Sequence, residues 1–240
     1  MANTYDLTGK TAIVTGAAKG TGRAIAEILL ANGCDVLIWD ANVASVPGAR
    51  SAQVDITQPD QVAAAAAGVP ANQRVDILVN NAGYLGKTIA FLAHAPADWR
   101  RIIEVNLLGT MHVTQAILPI MVRQGGGRIV NLGSLAGKEG LAGIAAYSAA
   151  SAGIISFTKA ISREVAQHNV FVNCVAPGPI DTDMIRDLGS EVVGQMIKDS
   201  PLGRLGETSE VANLVAWLCT EASRFNTGAV FDMSGGRARY

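Results

Sequence analysis

A glycine-rich turn is the first place where residue type and spacing suggest chemistry. Residues 15–22 read TGAAKGTG, follow a β-branched run and open a helical stretch. Glycines at such a turn let the backbone approach a pyrophosphate, and the free N–H groups of a helix N-terminus attract the anion. The spacing of Gly16, Gly20 and Gly22 is GxxxGxG rather than GxGxxG. It favours nucleotide binding, although glycines at this place can also be merely structural.

An aspartate further along the chain extends this interpretation. Asp40 ends the apolar run 36–39, about 20 residues beyond the glycines. At that place a carboxylate can accept hydrogen bonds from both hydroxyls of an adenosine ribose, and it repels a 2′-phosphate. An exposed acid in a turn is the alternative, and Lys19 favours NADP because a cation beside the ribose would attract the phosphate. We give Asp40 more weight and expect NAD, with NADP less favoured.

Short β-branched runs alternate with longer helical stretches and would position these residues. Strands are predicted at residues 11–15, 35–39, 77–79, 128–132, 171–175 and 229–233. Helices are predicted at residues 20–31, 107–123, 145–168 and 209–220. This alternation predicts an α/β fold, a doubly wound parallel sheet with helices on both faces, as a single domain over residues 1–240. Because too few residues separate Asp40 from Arg50 for a crossover helix, we expect a loop or a single turn there.

Composition and charge exclude several classes of protein. The net charge of −1 offers no electrostatic footprint for nucleic acid or an anionic membrane. No window approaches the ~18 consecutive apolar residues of a membrane span, and residues 1–6 do not resemble a secretory signal. The three histidines are too scattered to indicate a metal site, and Cys34, Cys174 and Cys219 are expected to be buried reduced thiols. We expect a soluble cytoplasmic protein.

Further motifs follow in a fixed order. Residues 80–83 read NNAG, residues 131–134 read NLGS, and residues 177–182 read PGPIDT. With the glycine turn, these motifs resemble the short-chain dehydrogenase/reductase family over nearly the whole chain, which implies a Rossmann-type fold. The resemblance assigns cofactor binding to Gly16, Lys19, Gly20, Thr21, Gly22, Asp40, Asp55, Ile56, Asn81, Ala82, Gly83, Pro177, Gly178, Ile180 and Thr182. Within that set, Asp55 matches the acid that contacts the adenine amino group, and 177–182 matches the segment that binds the nicotinamide carboxamide.

The resemblance also implies catalytic roles. Tyr147, which follows Ser134 by 13 residues, would exchange a proton with the substrate oxygen while hydride moves to or from the nicotinamide. Ser134 would polarise the carbonyl, and Asn106 would hold a water of the proton relay. Each has an alternative: Asn106 can cap or kink its helix, Ser134 can satisfy a strand-end amide, and Tyr147 can be a core aromatic. Their order and spacing favour the catalytic interpretation.

Ser151 departs from the family pattern. It stands four residues after Tyr147, where the family has a lysine that binds the nicotinamide ribose and lowers the pKa of the tyrosine. Lys159 lies more than three helical turns from Tyr147, roughly 18 Å along the axis, and cannot substitute, whereas Lys138 can approach from the loop after Ser134. Ser151 marks an engineered or mutated site, a natural variant with altered chemistry, or a dinucleotide-binding sensor or scaffold without turnover.

Substrate and partners follow only from the resemblance. Leu141 and Met184, with Ser134 and Tyr147, are expected to contact a small ketone or secondary alcohol. Residues 200–206 resemble the 3-oxoacyl-acyl-carrier-protein reductase branch. Arg123 and Arg128 are a thin basic patch for so acidic a partner, so a sugar, polyol or other secondary-alcohol dehydrogenase is at least as well supported. The helices at 107–121 and 145–168 resemble subunit-packing helices, and we expect a homotetramer.

Overall fold

Seven parallel strands form one sheet within the residues that the computed structural model describes, 5–70 and 72–240. The strands are β1 (Thr11–Thr15), β2 (Asp35–Asp40), β3 (Arg50–Gln53), β4 (Ile77–Asn80), β5 (Gly127–Leu132), β6 (Val170–Pro177) and β7 (Val230–Met233). Their order is β3-β2-β1-β4-β5-β6-β7. The predicted α/β class is confirmed, whereas residues 1–4 and 71 of the predicted domain, including most of the segment examined for a secretory signal, lie outside the described residues.

Helices cover both faces of the sheet. They are α1 (Gly20–Ala31), α2 (Pro59–Ala67), α3 (Pro96–Ile103), α4 (Gly109–Arg123), α5 (Leu135–Glu139), α6 (Ala145–Val165), α7 (Asp183–Arg186), α8 (Ser190–Asp199) and α9 (Thr208–Leu218). A π-helical turn, Glu104–Leu108, joins α3 to α4 without a break. The helix predicted to begin at residue 107 therefore begins at 96. In α9 the cap is Glu207, whose side chain and that of Glu210 form a capping box.

The edge strand β3 is the one strand among the described residues that the sequence pattern did not predict. Its four residues, RSAQ, are mostly exposed and lack an apolar run, so only pairing with β2 identifies them as a strand. The segment between β2 and β3 contains no helix among its residues 41–49. The expectation of a loop there is confirmed.

The core lies on both faces of the sheet because its central strands are buried on both sides. In β1, Val14 packs with residues of α1 and α9 such as Leu29 and Val215. Ile13 points the other way and packs with Val113 and Ile117 of α4. The three cysteines are free and buried, as predicted.

One helical stretch is long and apolar enough to cross a membrane by length and composition alone. It runs through Pro96–Arg123. Its Ile102, Val113, Ile117 and Met121 are buried in this structure. The apolar face of the stretch is thus at least partly occupied by protein contacts.

Strand order places one crevice at the carboxyl ends of the central strands. From β1 the chain proceeds outward through β2 to β3, and then crosses to β4 on the other side of β1. In open parallel sheets the loops that leave two strands at such a reversal point separate, and the gap between them binds ligands. The loops after β1 and β4 are therefore the expected borders of a site.

Candidate functional site

A cavity of about 690 Å³ opens at this reversal point. It is lined by every residue predicted to bind cofactor: Gly16, Lys19, Gly20, Thr21, Gly22, Asp40, Asp55, Ile56, Asn81, Ala82, Gly83, Pro177, Gly178, Ile180 and Thr182. Asn106, Ser134, Tyr147, Ser151 and Met184 line it as well. The structure does not bring Leu141 to this cavity; its backbone N–H instead donates to Ser148 Oγ at 3.1 Å.

The glycine turn after β1 has two properties: its glycines allow close packing against the end of β4, and the N-terminus of α1 that follows has no side-chain cap. A Cβ on Gly16 would lie 2.5 Å from Ala82 Cα, and Gly16 has a φ of +66°. Asn81 Nδ2 donates to Gly16 O at 2.8 Å and so ties the turn to the end of β4. The α1 cap residue Lys19 makes no side-chain capping bond. The first N–H groups of α1 are thus free of a side-chain cap and face the cavity side of the turn, as an anion site requires.

Asp40 is not an exposed acid in a turn. The residue is only 8% exposed, and its carboxylate accepts hydrogen bonds from Ala18 N and Asn42 N, each at 2.9 Å. The two bonds hold a negative charge at the end of β2 on the cavity wall. Lys19 and Arg101 are the cations among the described residues of that wall.

Ser134 is placed by the end of β5 and the start of α5. It is extended, with φ −160° and ψ 154°, and its Oγ accepts a hydrogen bond from Ala136 N at 3.1 Å. Because that bond uses a lone pair, the hydroxyl proton remains available for a group in the cavity. The alternative capping role and the proposed carbonyl-binding role of Ser134 are therefore compatible.

Tyr147 and Ser151 lie one turn apart on α6. Ser151 is 4% exposed, and α5 packs closely over it: a Cβ on Gly137 would lie 2.5 Å from the Ser151 carbonyl carbon. Burial raises the pKa of the Tyr147 phenol above its ordinary value, and hydrogen bonding with Ser134 and Ser151 offsets only part of that rise. The three hydroxyl groups thus share one end of the cavity, with the phenol strongly favouring its protonated form.

Lys138 does not supply a cation to the cavity. Its Nζ lies 2.8 Å from Asp232 Oδ2 at the C-terminal side of the fold and 5.8 Å from the centre of the Tyr240 ring. It is not among the described residues that line the cavity. The alternative in which Lys138 approaches the site is therefore not supported.

Asn106 occupies the π-helical turn between α3 and α4. Its Nδ2 donates to Tyr84 O at 2.7 Å and to Ile102 O at 2.8 Å, and its Oδ1 accepts from Tyr84 N at 3.1 Å. The side chain therefore fixes the loop after β4 against the helix. This is a structural role, like the capping or kinking role considered from the sequence. Single-turn π-helical insertions are frequent at functional sites.

Comparison with known proteins shows the family of the chain. A family model described as enoyl-(acyl carrier protein) reductase matches residues 16–238. The 3-oxoacyl-(acyl-carrier-protein) reductase FabG of Aquifex aeolicus is 40% identical, over 96% of this chain and 98% of that protein. The 2-dehydro-3-deoxy-L-rhamnonate dehydrogenase (NAD(+)) of Sphingomonas sp. is 37% identical, over 97% of this chain and 96% of that protein.

The chain belongs to the short-chain dehydrogenase/reductase family. The solved structure of Thermoplasma acidophilum aldohexose dehydrogenase (AldT), in ligand-free form, superposes with a TM-score of 0.93 at 30% identity and covers 99% of this chain and 97% of that one. The relatives are oxidoreductases by name, and the chain is a short-chain dehydrogenase/reductase enzyme.

The cavity suits the nicotinamide dinucleotide that this family uses. Gly22 keeps the turn compact, since a Cβ there would lie 2.3 Å from both Gly16 O and Asn81 Nδ2. Asp40 stands at the β2 end, and Ser134 and Tyr147 stand beyond the glycine turn. An elongated ligand in the cavity would therefore meet an anion-binding turn at its middle and polar side chains at both ends.

Sequence reasoning missed several residues of this short-chain dehydrogenase/reductase cavity. Arg101, Asn42, Val105, Ile154 and Asp183 also line it. Arg101 carries no local motif, because it reaches the cavity through the packing of α3. The other four lie within three residues of a predicted site residue, so proximity to the motifs was the signal that could have found them. A helical period places Val105 and Arg101 on neighbouring positions of one face, but that alone does not say which cavity the face borders.

Proposed function

We propose that this enzyme interconverts a secondary alcohol and a ketone with NAD as its cofactor. The observation that carries the proposal is the position of the Ser134 and Tyr147 hydroxyls in the same cavity as the glycine turn and Asp40. A dinucleotide held by the turn at its pyrophosphate and by Asp40 at its ribose would extend toward those two hydroxyls.

The proposed chemistry assigns one task to each side chain. When bound, the nicotinamide supplies or takes up the hydride. Ser134 donates a hydrogen bond to the substrate oxygen and so polarises the carbonyl and orients its carbon. Tyr147 gives a proton to that oxygen during reduction and takes it back during oxidation. Asn106 holds the loop after β4 and, by resemblance, a water of the proton relay.

Ser151 biases this chemistry toward reduction. A phenol without a neighbouring cation is about one part in a thousand ionised at pH 7 even at its ordinary pKa, and burial raises the pKa of Tyr147 further. Reduction uses the protonated phenol, whereas oxidation requires the phenolate. We therefore propose that carbonyl reduction is retained and that alcohol oxidation is impaired at neutral pH.

The preference for NAD rests on Asp40. Its buried carboxylate is held by two backbone N–H groups at the β2 end, where it would accept the ribose hydroxyls and repel a 2′-phosphate. Lys19 favours NADP in the same cavity. The relative from Sphingomonas sp. has NAD(+) in its name, which supports the proposed cofactor.

Two substrate classes remain candidates. The likeness to FabG proteins favours a 3-oxoacyl thioester on an acyl carrier protein. Against it, Arg128 is not a surface cation as the sequence suggested: its side chain is 9% exposed, pairs with Glu221 at 2.9 Å and stacks on Phe171 at 4.3 Å. Arg123 alone remains of that basic patch, which favours a small sugar, polyol or other secondary alcohol.

The second candidate function is a catalytically weak or inactive NAD-binding sensor or scaffold. The observation that favours it is Ser151, an uncharged side chain one helical turn after Tyr147. The retention of Ser134, Tyr147 and Asn106 in one cavity favours the enzyme.

The proposed homotetramer rests on resemblance and on exposed apolar side chains. Leu108, at the end of the π-helical turn, and Met111, in the first turn of α4, are 40% and 38% exposed in the monomer. They lie within the first of the two helical segments expected to pack between subunits. Light scattering at micromolar concentration is expected to give four times the monomer mass, and a monomer would contradict the proposal.

Turnover with matched variants tests the function. Nicotinamide absorbance is followed with NADH and NADPH on a panel of ketones, including 3-oxoacyl thioesters, and with NAD and NADP on secondary alcohols. Removal of the phenol hydroxyl in Tyr147→Phe should lower the rate by about 10²–10⁴-fold while leaving NADH affinity unchanged. Ketone turnover that survives this substitution would remove Tyr147 from the mechanism. NADH binding without turnover of any panel member would favour the sensor.

A further inference from the structure

The adenosine end of the cavity is walled by a short segment without regular structure. Residues 54–57 follow β3 and precede α2, and Val54, Asp55 and Ile56 line the cavity. Val54 N donates to Asp40 O at 2.8 Å, which connects the segment to the end of β2.

A hydrogen-bonded chain fixes the Asp55 carboxylate. Arg101 Nη1 donates to Thr57 Oγ1 at 3.0 Å, and Thr57 Oγ1 donates to Asp55 Oδ1 at 2.7 Å. Thr57 N donates to the same Oδ1 at 2.9 Å. Oδ2 remains for another donor, and its charged neighbour is Arg101 Nη2 at 3.8 Å. The carboxylate is thus turned so that one oxygen is used internally and the other is available to a ligand.

The charge state of Asp55 agrees with this arrangement. Burial by itself raises the pKa of the carboxyl, but the hydrogen bonds from Thr57 and the Arg101 charge outweigh it, and the pKa is lowered overall. Asp55 is therefore ionised at neutral pH. An ionised carboxylate accepts a hydrogen bond from an exocyclic amino group more strongly than a neutral acid does.

A second contact from the same helical stretch holds Ile56. His112 Nδ1 lies 3.1 Å from Ile56 O. Gly109 admits the Ile56 side chain, since a Cβ on Gly109 would lie 2.6 Å from Ile56 Cδ1. Arg101 is on α3 and His112 is on α4, with the π-helical turn between them. One continuous helical stretch therefore holds both Asp55 and Ile56 in place.

We infer that Arg101 and His112 are positioning residues for the adenosine half of the cofactor. They hold residues 55–57 so that Asp55 Oδ2 faces the adenine. The inference rests on the proposed dinucleotide function. Since both residues act on one end of the ligand, their loss should weaken binding of ligands that contain adenosine and spare ligands that lack it.

The experiment measures dissociation constants for NADH, ADP-ribose and reduced nicotinamide mononucleotide, by fluorescence and calorimetry. Arg101→Gln removes the charge and the bond to Thr57. It should weaken NADH and ADP-ribose about three- to tenfold, as expected for a half-exposed charged contact, and leave the mononucleotide unchanged. Arg100→Gln is the matched control, because Arg100 is exposed and stacks on Trp99 at 5.8 Å instead of contacting the segment.

A second variant tests the same chain of bonds from its other side. Thr57→Val removes the hydroxyl between Arg101 and Asp55 and should reproduce the loss, while thermal unfolding without ligand verifies that each variant is folded. Equal NADH affinity in wild type, Arg101→Gln and Thr57→Val would overturn the inference. So would an equal loss of mononucleotide and ADP-ribose binding, which indicates a general structural effect. Failure of the wild type to bind NADH or ADP-ribose would instead refute the proposed function, and this inference with it.

Discussion

Placing a cation beside Tyr147 is the sharpest perturbation that the structure suggests. Ser151 lies one helical turn after the tyrosine and borders the cavity, so the side chain of Ser151→Lys can extend into open space. The close contact of Gly137 is with the backbone and Cβ of Ser151, and these atoms are unchanged by the substitution. The new ammonium group would lie near the phenol without requiring α5 to move.

The expected magnitude follows from the ionisation of the phenol. At an ordinary pKa near 10, about one tyrosine in a thousand is phenolate at pH 7, and burial makes the fraction in Tyr147 smaller. A cation nearby lowers a pKa by roughly 1–3 units. Alcohol oxidation at neutral pH should therefore accelerate about ten- to thousandfold in Ser151→Lys, because the reactive phenolate becomes that much more abundant. Carbonyl reduction should change less.

Initial rates of NADH formation from pH 6 to 10 provide the assay, on an alcohol taken from the substrate panel. The apparent pKa of the oxidation rate should fall by roughly 1–3 units in Ser151→Lys. Ser151→Met, of similar length without the charge, is the control and should leave that pKa in place. If the wild type is already as fast as Ser151→Lys with the same apparent pKa, the reasoning about the missing cation is wrong. Equal acceleration by lysine and methionine would attribute the effect to packing.

Three further predictions concern the same cavity. Asp40→Asn removes the charge at the β2 end and should raise the NADP-to-NAD ratio of kcat/KM roughly ten- to hundredfold; an unchanged ratio in steady-state kinetics would exclude Asp40 from cofactor choice. Gly16→Ala combines a positive φ with a contact 2.5 Å from Ala82 Cα and should cost roughly 3–5 kcal/mol of unfolding free energy. Gly9→Ala has a similar φ and open space, and should cost roughly 1–2 kcal/mol in the same denaturant titration; equal losses would refute the clash. Because burial raises the pKa of Tyr147, wild-type oxidation should increase about tenfold per pH unit between about pH 6 and 9 while reduction stays nearly flat; a plateau near neutral pH would contradict this.

Local chemistry explains why most of the site could be predicted from the sequence. The glycine turn needs small residues wherever the backbone of β1 meets that of β4, so the requirement appears directly as Gly16 and Gly22. Asp40 ends an apolar strand that is buried on both faces, and such an apolar run can be recognised from the sequence without knowledge of its neighbours in the sheet. Ser134 and Tyr147 are carried by the end of a strand and the start of a long helix. In each case the residue type and the local element agree.

Where the sequence was insufficient, the missing information came from neighbours distant along the chain. The polar strand β3 has no apolar signature and becomes a strand only through its register with β2. Arg128 appeared to be a surface charge, but Glu221 and Phe171 neutralise and cover it. Lys138 was considered as an alternative cation for the tyrosine, but it pairs with Asp232 instead. Leu141 was expected at the substrate and lies outside the cavity.

The sequence by itself determined the family, the order of the elements and the identity of the groups at the carboxyl ends of the strands. Those properties depend on periodicity and on short motifs, which act over a few residues. Only the tertiary structure decided which charges are available, how Asp55 is oriented by Arg101, and that the environment of Tyr147 raises its pKa. These depend on desolvation and on contacts between side chains tens of residues apart, because burial and distance are set by the packed fold and not by local spacing.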